Sequence, residues 1–241
     1  MLTYINVTVE NNQYRGGIEI NSVANTENIG DVTSVKIWRK TEGETSWNEL
    51  HTIEVSSVDD LNFGLFDILS VSGKKYSYGI DVMADNTIVE SGLFDDIECD
   101  FQGLFIGNFD RQYVAGTNFK VDTTRNTSVE YVVTLSGRTP HSVSNANTNY
   151  SSGSASGLFL KLSDDKKKFV PDYDHSYSNE VLDFLTDYSY KILKTHDGQI
   201  WYVSIDANPS SPFNEHYTGM NQVQFNWTEV GDLPAFGMVV D

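Results

Sequence analysis

The sequence predicts a mainly β protein of two parts with one significant helix. From Thr3 to about Glu98, short runs rich in β-branched and aromatic residues recur at the roughly 8–12-residue spacing typical of a β-sandwich. Near the end of the chain, Val223, Phe225 and Trp227 alternate with polar residues, which indicates a strand with one buried face. A helical period is clear at residues 178–188.

The first predicted part is residues 1–98. Its clearest alternation places Tyr76, Tyr78, Ile80 and Val82 on one side of a strand. The predicted strands of this part are residues 4–10, 16–20, 32–40, 47–55, 73–82 and 87–90.

Two segments of this part, VKIWRKTEGETSWNEL and VSGKKYSYGIDVMADNTIVESG, resemble a fibronectin type III or related immunoglobulin-like module. The resemblance implies that the first segment is a central hairpin carrying Trp38. It also implies that Tyr76 is the corner tyrosine, whose hydroxyl ties a loop to the strand. The early tryptophan expected on the second strand of such modules is absent. A fold resemblance does not by itself assign a function.

Residues 91–103 read as a linker or a shared strand and contain four closely spaced acids, Asp95, Asp96, Glu98 and Asp100. The EF-hand spacing for calcium is missing, so a solvated acidic connection is favoured. Strands are predicted at residues 129–135 and 157–162. The residues between them, 137–156, are rich in Ser, Asn, Thr and Gly and have no hydrophobic period. They predict a long polar loop that is mobile in the free subunit.

The second predicted part is residues 99–241, with its helix at about 178–188. Ser178 is the predicted cap, and Val181, Phe184, Leu185 and Tyr188 recur on one helical face. This face is expected to pack on an antiparallel sheet.

A hairpin and a final strand follow that helix in the sequence. Strands at residues 191–194 and 200–205 flank Asp197-Gly198, and both turn residues tolerate positive φ. Residues 222–228 form the last predicted strand.

The order of elements from Gly103 to Asp232 resembles the tail-tube-like or distal-tail-type domain of tailed-phage proteins. The segments that carry the resemblance are GLFIGNFDRQYVAGTNFKVDTTRNTSVEYVVTLSGRTPHSVSN, GLFLKL, EVLDFLTDYSYKILKTHDGQIWYVSID and NQVQFNWTEVGD. The resemblance implies a structural subunit of a tail tip or baseplate that assembles with copies of itself around the tail axis.

Composition narrows the classes of partner. The chain has 34 acidic and 16 basic residues and a formal charge of -18, which disfavours specific nucleic-acid binding. Cys99 is the single cysteine, so no intrachain disulfide or multi-cysteine zinc site is expected. No signal peptide and no membrane-spanning run are visible, which predicts synthesis in a cytoplasm and no membrane insertion.

Candidate catalytic and metal sites are weak. Gly153-Ser154-Ala155-Ser156-Gly157 has alanine where a G-x-S-x-G elbow needs serine, so a flexible loop is favoured. The segment Asp172-Tyr173-Asp174-His175 offers metal-ligand types, with His141, His196 and His216 as conceivable partners, but no histidine pair has helical i, i+4 spacing. We therefore expect no enzyme, no metal and no cofactor.

Four aromatic residues are the candidate packing and assembly positions: Trp201, Tyr202, Phe225 and Trp227. A sugar-stacking platform is the alternative, but period-2 placement favours core and intersubunit packing.

The predicted function is thus a virion tail subunit, assembled in the host bacterial cytoplasm, whose partners are its own copies and other tail proteins. The main rival is a host-surface carbohydrate-binding or adhesive module, and a glycan hydrolase is a weaker one. Around a tail channel, exposed acids would repel passing DNA over about 8 Å at physiological salt. The candidate channel acids are Asp122, Glu130, Asp183 and Asp187.

Overall fold

The structure is a computed structural model, and it describes residues 2–133, 137–170, 176–206, 208–211, 222–234 and 237–240. Within these ranges the chain is mainly β with one α-helix, which confirms the predicted class at that level. The strands form two four-stranded sheets, a closed six-stranded barrel and one short two-stranded pair. Across the described ranges, no helix has the length and apolar character that a bilayer crossing requires.

The elements follow one another along the chain with mostly short connections. In order they are β1 (Ile5–Asn12), β2 (Gly17–Ala24), β3 (Ser34–Thr41), β4 (Asn48–Glu54), a 3-10 turn (Val58–Leu61), β5 (Phe63–Asp67), β6 (Lys74–Ala84), β7 (Thr87–Cys99), β8 (Leu104–Gly107), β9 (Gln112–Val132), β10 (His141–Phe159), β11 (Lys161–Leu162), β12 (Phe169–Val170), α1 (Ser176–Leu185), β13 (Lys191–Thr195), β14 (Ile200–Ile205), β15 (Gln222–Gly231) and β16 (Val239–Val240).

The first part consists of two four-stranded sheets that enclose one core. One sheet has the order β1-β2-β5-β16 and the other β4-β3-β6-β7. Because alternate side chains of a strand point to opposite faces, Tyr78, Ile80 and Val82 of β6 are buried against Ile18 and Ile20 of β2.

Strand β5 has no counterpart in the sequence prediction. Its residues Leu65 and Phe66 are both buried although they are adjacent, because Leu65 joins the first core and Phe66 joins a second cluster on the other face. A strand covered on both faces shows no polar alternation, so the period-2 pattern is missing from the sequence.

The acidic segment 91–103 is mostly strand. β7 continues to Cys99 and pairs with β6 from Thr87, opposite Ala84, to Cys99, opposite Lys74. β7 is an edge strand of its sheet, so acidic side chains at its solvent-facing positions need no burial. As far as Cys99 the segment is therefore a strand and not a linker, but it pairs with β6 alone and is not shared with a second sheet among the described residues.

The second part is a closed barrel with the strand order β10-β15-β14-β13-β8-β9. Val223, Phe225 and Trp227 of β15 are buried in its interior, whereas Gln224 and Asn226 are exposed. The alternation predicted for this strand is confirmed.

The polar loop predicted at residues 137–156 is wrong for most of its length. β10 begins at His141 and pairs with β9 in antiparallel register along a long hairpin. Serine, threonine and asparagine side chains suit a strand that is open to solvent on both faces, so pairing does not require a hydrophobic period there. The predicted strand 129–135 is confirmed to Val132, Val133 lies just beyond the strand, and residues 134 and 135 lie outside the described ranges.

The helix begins earlier and ends earlier than predicted. Val181, Phe184 and Leu185 are buried as expected and share the barrel core. Ser178 lies inside the helix rather than at its cap. Tyr188 is 99% exposed, because the helix ends at Leu185 and Tyr188 itself has a φ of +63°.

The hairpin predicted at Asp197-Gly198 is confirmed between β13 and β14. Both residues tolerate positive φ, but only Gly198 adopts it, at +85°. The Thr195 side chain donates a hydrogen bond to Asp197, and the Gly198 amide donates one to the Thr195 carbonyl.

The two parts meet along β13, at a contact that we call the joint: β13 packed against residues 66–71. Every residue of β13 is buried. Leu193 belongs to the barrel core, whereas Ile192 packs with Phe66, Ile68 and Leu69 of the first part. The C-terminal strand β16 also returns to the first part, where it pairs with β5.

Candidate functional site

The long hairpin of β9 and β10 extends beyond the barrel as a two-stranded ribbon. β10 pairs with barrel strand β15 only from Ser152 onward, and β9 pairs with β8 only up to Ala115. Residues 125–132 and 141–151 therefore pair with each other and with no further described strand. We call these two segments the ribbon.

The root of the ribbon is fixed to the barrel by polar contacts. Arg125 Nη1 lies 3.6 Å from Glu229 Oε2 on β15 and donates a 3.0 Å hydrogen bond to Ser151 Oγ. The Ser151 amide donates to Glu229 Oε2 at 2.6 Å. The direction in which the ribbon leaves the barrel is thus set by a charged, hydrogen-bonded network.

The ribbon exposes large apolar side chains at its far end. Tyr131 is 71% exposed and Val133, just beyond β9, is 70% exposed. The other exposed apolar residues there are Val129, Val132 and Val143. An isolated two-stranded hairpin is marginally stable in water, and clustered exposed apolar groups mark interaction sites. The ribbon end is therefore a candidate docking surface.

The four predicted aromatic positions are placed inside the molecule. Trp201 and Trp227 pack with ring centroids 4.9 Å apart, and with Phe225 they belong to the barrel core. Tyr202 lies on the opposite face of β14, half-buried beside Tyr190 with ring centroids 5.4 Å apart. In this arrangement the four residues pack within the chain and form no common exposed platform.

Tyr76 makes the contact that a corner tyrosine is expected to make. Its hydroxyl accepts a 2.8 Å hydrogen bond from the amide of Val71, five residues upstream. This bond holds the segment between β5 and β6 against the strand.

A buried polar cluster stands beside Tyr76, at the joint. Asp67 is fully buried and accepts hydrogen bonds from Arg39 Nη1 at 2.8 Å, from Tyr78 Oη at 2.8 Å and from the Leu69 amide at 3.0 Å. Burial raises the pKa of Tyr78 well above its ordinary value, so its hydroxyl keeps the proton that it donates. Such a cluster holds residues 67–71 in one conformation.

Lys194 of β13 binds the segment that Asp67 orders. Its Nζ donates to the carbonyl oxygens of Ile68 at 2.7 Å and Ser70 at 3.1 Å. The side chain is 1% exposed and lies against the rings of Phe66 and Phe101. Burial lowers the pKa of Lys194 to about 8. A lysine in the joint therefore fastens the barrel to the first part.

The candidate metal ligands are not brought together in the described ranges, where no three His, Cys, Asp or Glu side chains form a group suited to a metal ion. His196 packs edge-on against the Phe119 ring at 5.3 Å, and His141 starts β10 on the ribbon. Residues 172–175 and His216 lie outside those ranges.

Residues 153–157 form neither an elbow nor a flexible loop. They lie in the middle of β10, paired with β9 on one side and β15 on the other. Ala155 is buried in the barrel core. A nucleophile elbow needs a sharp turn from a strand into a helix, which this backbone does not make.

The four acids considered for a channel wall differ in their surroundings. Asp122, Glu130 and Asp183 are exposed. Asp187 is bonded to the buried Lys191 and to Ser189. Burial alone would raise the pKa of Asp187, but the hydrogen bonds from Lys191 and Ser189 lower it below its ordinary value.

One surface feature was missed by the sequence interpretation. Trp38 and Trp47, considered there only as parts of a hairpin, flank a groove on the outer face of the β4-β3-β6-β7 sheet. The available signal was Gly79. The residues two positions before and after it, which share its face of the strand, are polar, whereas the residues on the opposite face are aromatic or β-branched.

A scan against protein-family models finds no match for this chain, and a search of curated proteins finds none that matches. Functional inference therefore rests on the two surfaces and the fold described above.

Proposed function

We propose that this chain is a structural subunit of a bacteriophage tail tip or baseplate that acts by assembling into a ring. The observation that carries the proposal is the ribbon, which presents uncovered apolar side chains at the end of a two-stranded arm. The described residues of the same chain leave these side chains exposed, so they are available to a second molecule.

The occupant that we assign to the ribbon is the body of another copy of this chain. Residues 125–151 have a formal charge of +1, from Arg125, Arg138 and Glu130. Because the whole chain has a formal charge of -18, the remaining residues together carry -19. A slightly basic arm with an apolar end therefore complements the acidic body of a neighbour. Because arm and body are different surfaces, the contact is head-to-tail, and such contacts form a ring when the rotation closes.

The reach of the ribbon suits this contact. Strands rise about 3.3 Å per residue, so the part of the ribbon beyond the barrel is about 25–35 Å long. That length spans a large part of a neighbouring domain of this size.

Each part of the chain also resembles a known fold class in its strand order. We assign the first part to an immunoglobulin-like, fibronectin type III-related module, supported by the order β1-β2-β5 facing β4-β3-β6-β7 and by the bond between Tyr76 and Val71. We assign the second part to the tail-tube-like class, supported by a barrel with a single packed helix.

In this role the chain resides in the virion tail and contacts its own copies and other tail proteins. DNA passes through the ring without specific binding. Exposed acids outside the ribbon, such as Asp122 and Asp183, would line the channel and repel the phosphate backbone within about 8 Å at physiological salt. A neutral or basic inner wall in a map of the assembled ring would remove this account of the charge.

Native mass spectrometry of the purified chain over a concentration series tests the assembly. We expect a discrete multimer of the wild type, and its loss in a variant with Val129, Tyr131 and Val133 replaced by serine. The matched control replaces Val23, Ile88 and Val89, which are also exposed but lie on the first part. A monomeric wild type, or a ribbon variant that assembles as well as the control, overturns the proposal.

A further inference from the structure

The outer face of the β4-β3-β6-β7 sheet carries a groove of about 430 Å³, which we call the tryptophan groove. Its lining residues are Trp38, Trp47, Gly79, Asp81, Ser91, Gly92 and Leu93. The volume is within the range of small-molecule sites, roughly 300–1,000 Å³.

The aromatic walls stand over a glycine floor. A Cβ atom at Gly79 would lie 3.6 Å from Cβ of Trp38 and 3.6 Å from Cζ3 of Trp47. A larger side chain at this position would fill the space between the indoles, so glycine keeps the groove open. Trp47 is 37% exposed and Leu93 is 61% exposed, which leaves apolar surface available to a ligand.

Hydrogen-bond donors and acceptors surround this apolar surface. Ser91 Oγ donates a 2.6 Å hydrogen bond to Asp81 Oδ1, so the pair offers an acceptor and a hydroxyl at one side. Lys40 Nζ lies 5.0 Å from the centroid of the Trp47 ring and adds a donor. The indole Nε1 of Trp38 is buried and has no hydrogen-bond partner among the described residues.

We propose that the tryptophan groove binds a neutral carbohydrate of one or two sugar rings. A pyranose has an apolar C–H face that suits an indole and a rim of hydroxyls that both donate and accept hydrogen bonds. The groove presents the matching set, with indole walls and the Asp81–Ser91 pair. This inference is independent of ring assembly.

The negative charge in and around the groove disfavours anionic ligands. Asp81 in the groove and the overall charge of -18 oppose phosphates and acidic sugars. A purely apolar ligand would remove water from the Asp81 carboxylate, and the hydrogen bond from Ser91 does not neutralise its charge, which is unfavourable.

Titration of the full-length protein with maltohexaose, cellohexaose and chitohexaose, followed by calorimetry and tryptophan fluorescence, tests the site. At least one of these should bind, and Trp47→Ala should weaken that binding about tenfold or more, equivalent to about 1.4 kcal/mol. Gly79→Leu should abolish it by filling the groove while leaving Trp47 in place. The control Tyr188→Ala removes an aromatic ring that is 99% exposed elsewhere and should change nothing.

Three results would overturn the proposal: no binding of any of the three oligosaccharides at millimolar concentration, unchanged binding by both groove variants, or preferential binding of an anionic polysaccharide such as alginate. Both groove variants should still assemble like the wild type in native mass spectrometry. Failure of carbohydrate binding is therefore distinguishable from failure of ring assembly.

Discussion

The joint and the ribbon both include strands of the barrel, but their apolar side chains differ in burial. At the joint, Ile192 of β13 packs against Phe66, Ile68 and Leu69 and is covered within the chain. On the ribbon, Val129 and Tyr131 remain in solvent. The chain thus covers one apolar surface by folding and leaves the other exposed, and the exposed one is the surface that the proposed assembly would cover.

The difference extends to the polar groups. The joint contains a buried lysine, Lys194, which donates hydrogen bonds to two backbone carbonyls. The segment that carries these carbonyls is in turn held by the buried cluster around Asp67. The ribbon keeps its charged contacts at its root, where Arg125 meets Glu229. A buried polar network selects one geometry, which suits a permanent contact, whereas an arm held only at its root suits a contact made later.

The largest effect should come from breaking the cluster that orders the joint. Asp67→Ala leaves Arg39 with no carboxylate partner in a largely buried site and frees the Leu69 amide. We expect a loss of about 3–5 kcal/mol in the free energy of unfolding, measured by urea denaturation. The control Asp31→Asn changes an exposed acid and should cost under about 0.5 kcal/mol. Equal effects of the two substitutions would mean that the cluster is dispensable.

The sequence could predict the core of the barrel but not the joint. Val223, Phe225 and Trp227 are readable because one face of their strand is polar. Ile192 and Lys194 lie on a strand that is buried on both faces. The neighbouring sequence does not indicate that Lys194 donates hydrogen bonds to two carbonyls 124 and 126 residues away in the chain. Long-range partners of this kind are set by topology, which a local period does not encode.

The ribbon escaped prediction for the opposite reason. Along residues 141–143 and 148–149 every side chain of β10 is exposed, so no apolar alternation marks the strand there and its polar residues predict a loop. The prediction that Tyr188 lies on the buried helical face is also wrong. Spacing of i+7 places a residue on a helical face only inside the helix, and α1 ends at Leu185. The groove residues Trp38 and Trp47 were visible in the sequence, but their convergence over Gly79 depends on the strand register.

The second effect concerns the pH dependence of the joint. The pKa of Lys194 is lowered by burial to about 8 from the model-compound value of 10.5. At pH values between these two pKa values the unfolded chain binds more protons than the folded chain, so this group makes stability rise with pH, and its contribution to the slope fades below about pH 7. The wild type should gain about 1–2 kcal/mol relative to Lys194→Met between pH 8 and pH 9.5.

The measurement for Lys194 is the difference in unfolding free energy between wild type and Lys194→Met at each pH, in which the other titrating groups cancel. A difference that does not change from pH 8 to pH 9.5 would show that Lys194 titrates as in water and that the joint is solvated.

A smaller effect separates a steric contact next to the joint, between Gly198 and Ser72, from backbone strain. Gly198 has a φ of +85°, and a Cβ atom there would lie 3.0 Å from the Ser72 carbonyl oxygen. Gly43 has nearly the same φ, +86°, but a Cβ atom would meet nothing within 4 Å. Both Gly198→Val and Gly43→Val should therefore lose about 1 kcal/mol or more through strain, and Gly198→Val should lose about 1 kcal/mol beyond that.

Thermal denaturation of the two glycine variants gives this comparison directly. Equal shifts in melting temperature would mean that the hairpin at Gly198 does not press on the segment ending at Ser72.

The smallest effect on folding is expected on the ribbon. Tyr131 is 71% exposed, so Tyr131→Ser removes little packing and should change the unfolding free energy of the monomer by no more than about 0.5 kcal/mol. Amide exchange should be fast along residues 125–132 in the monomer, because a two-stranded hairpin without a third strand opens readily, and it should slow on assembly. Slow exchange in the monomer, or a large destabilisation by Tyr131→Ser, would show that the ribbon is already packed within its own chain. The contrast with the joint would then disappear.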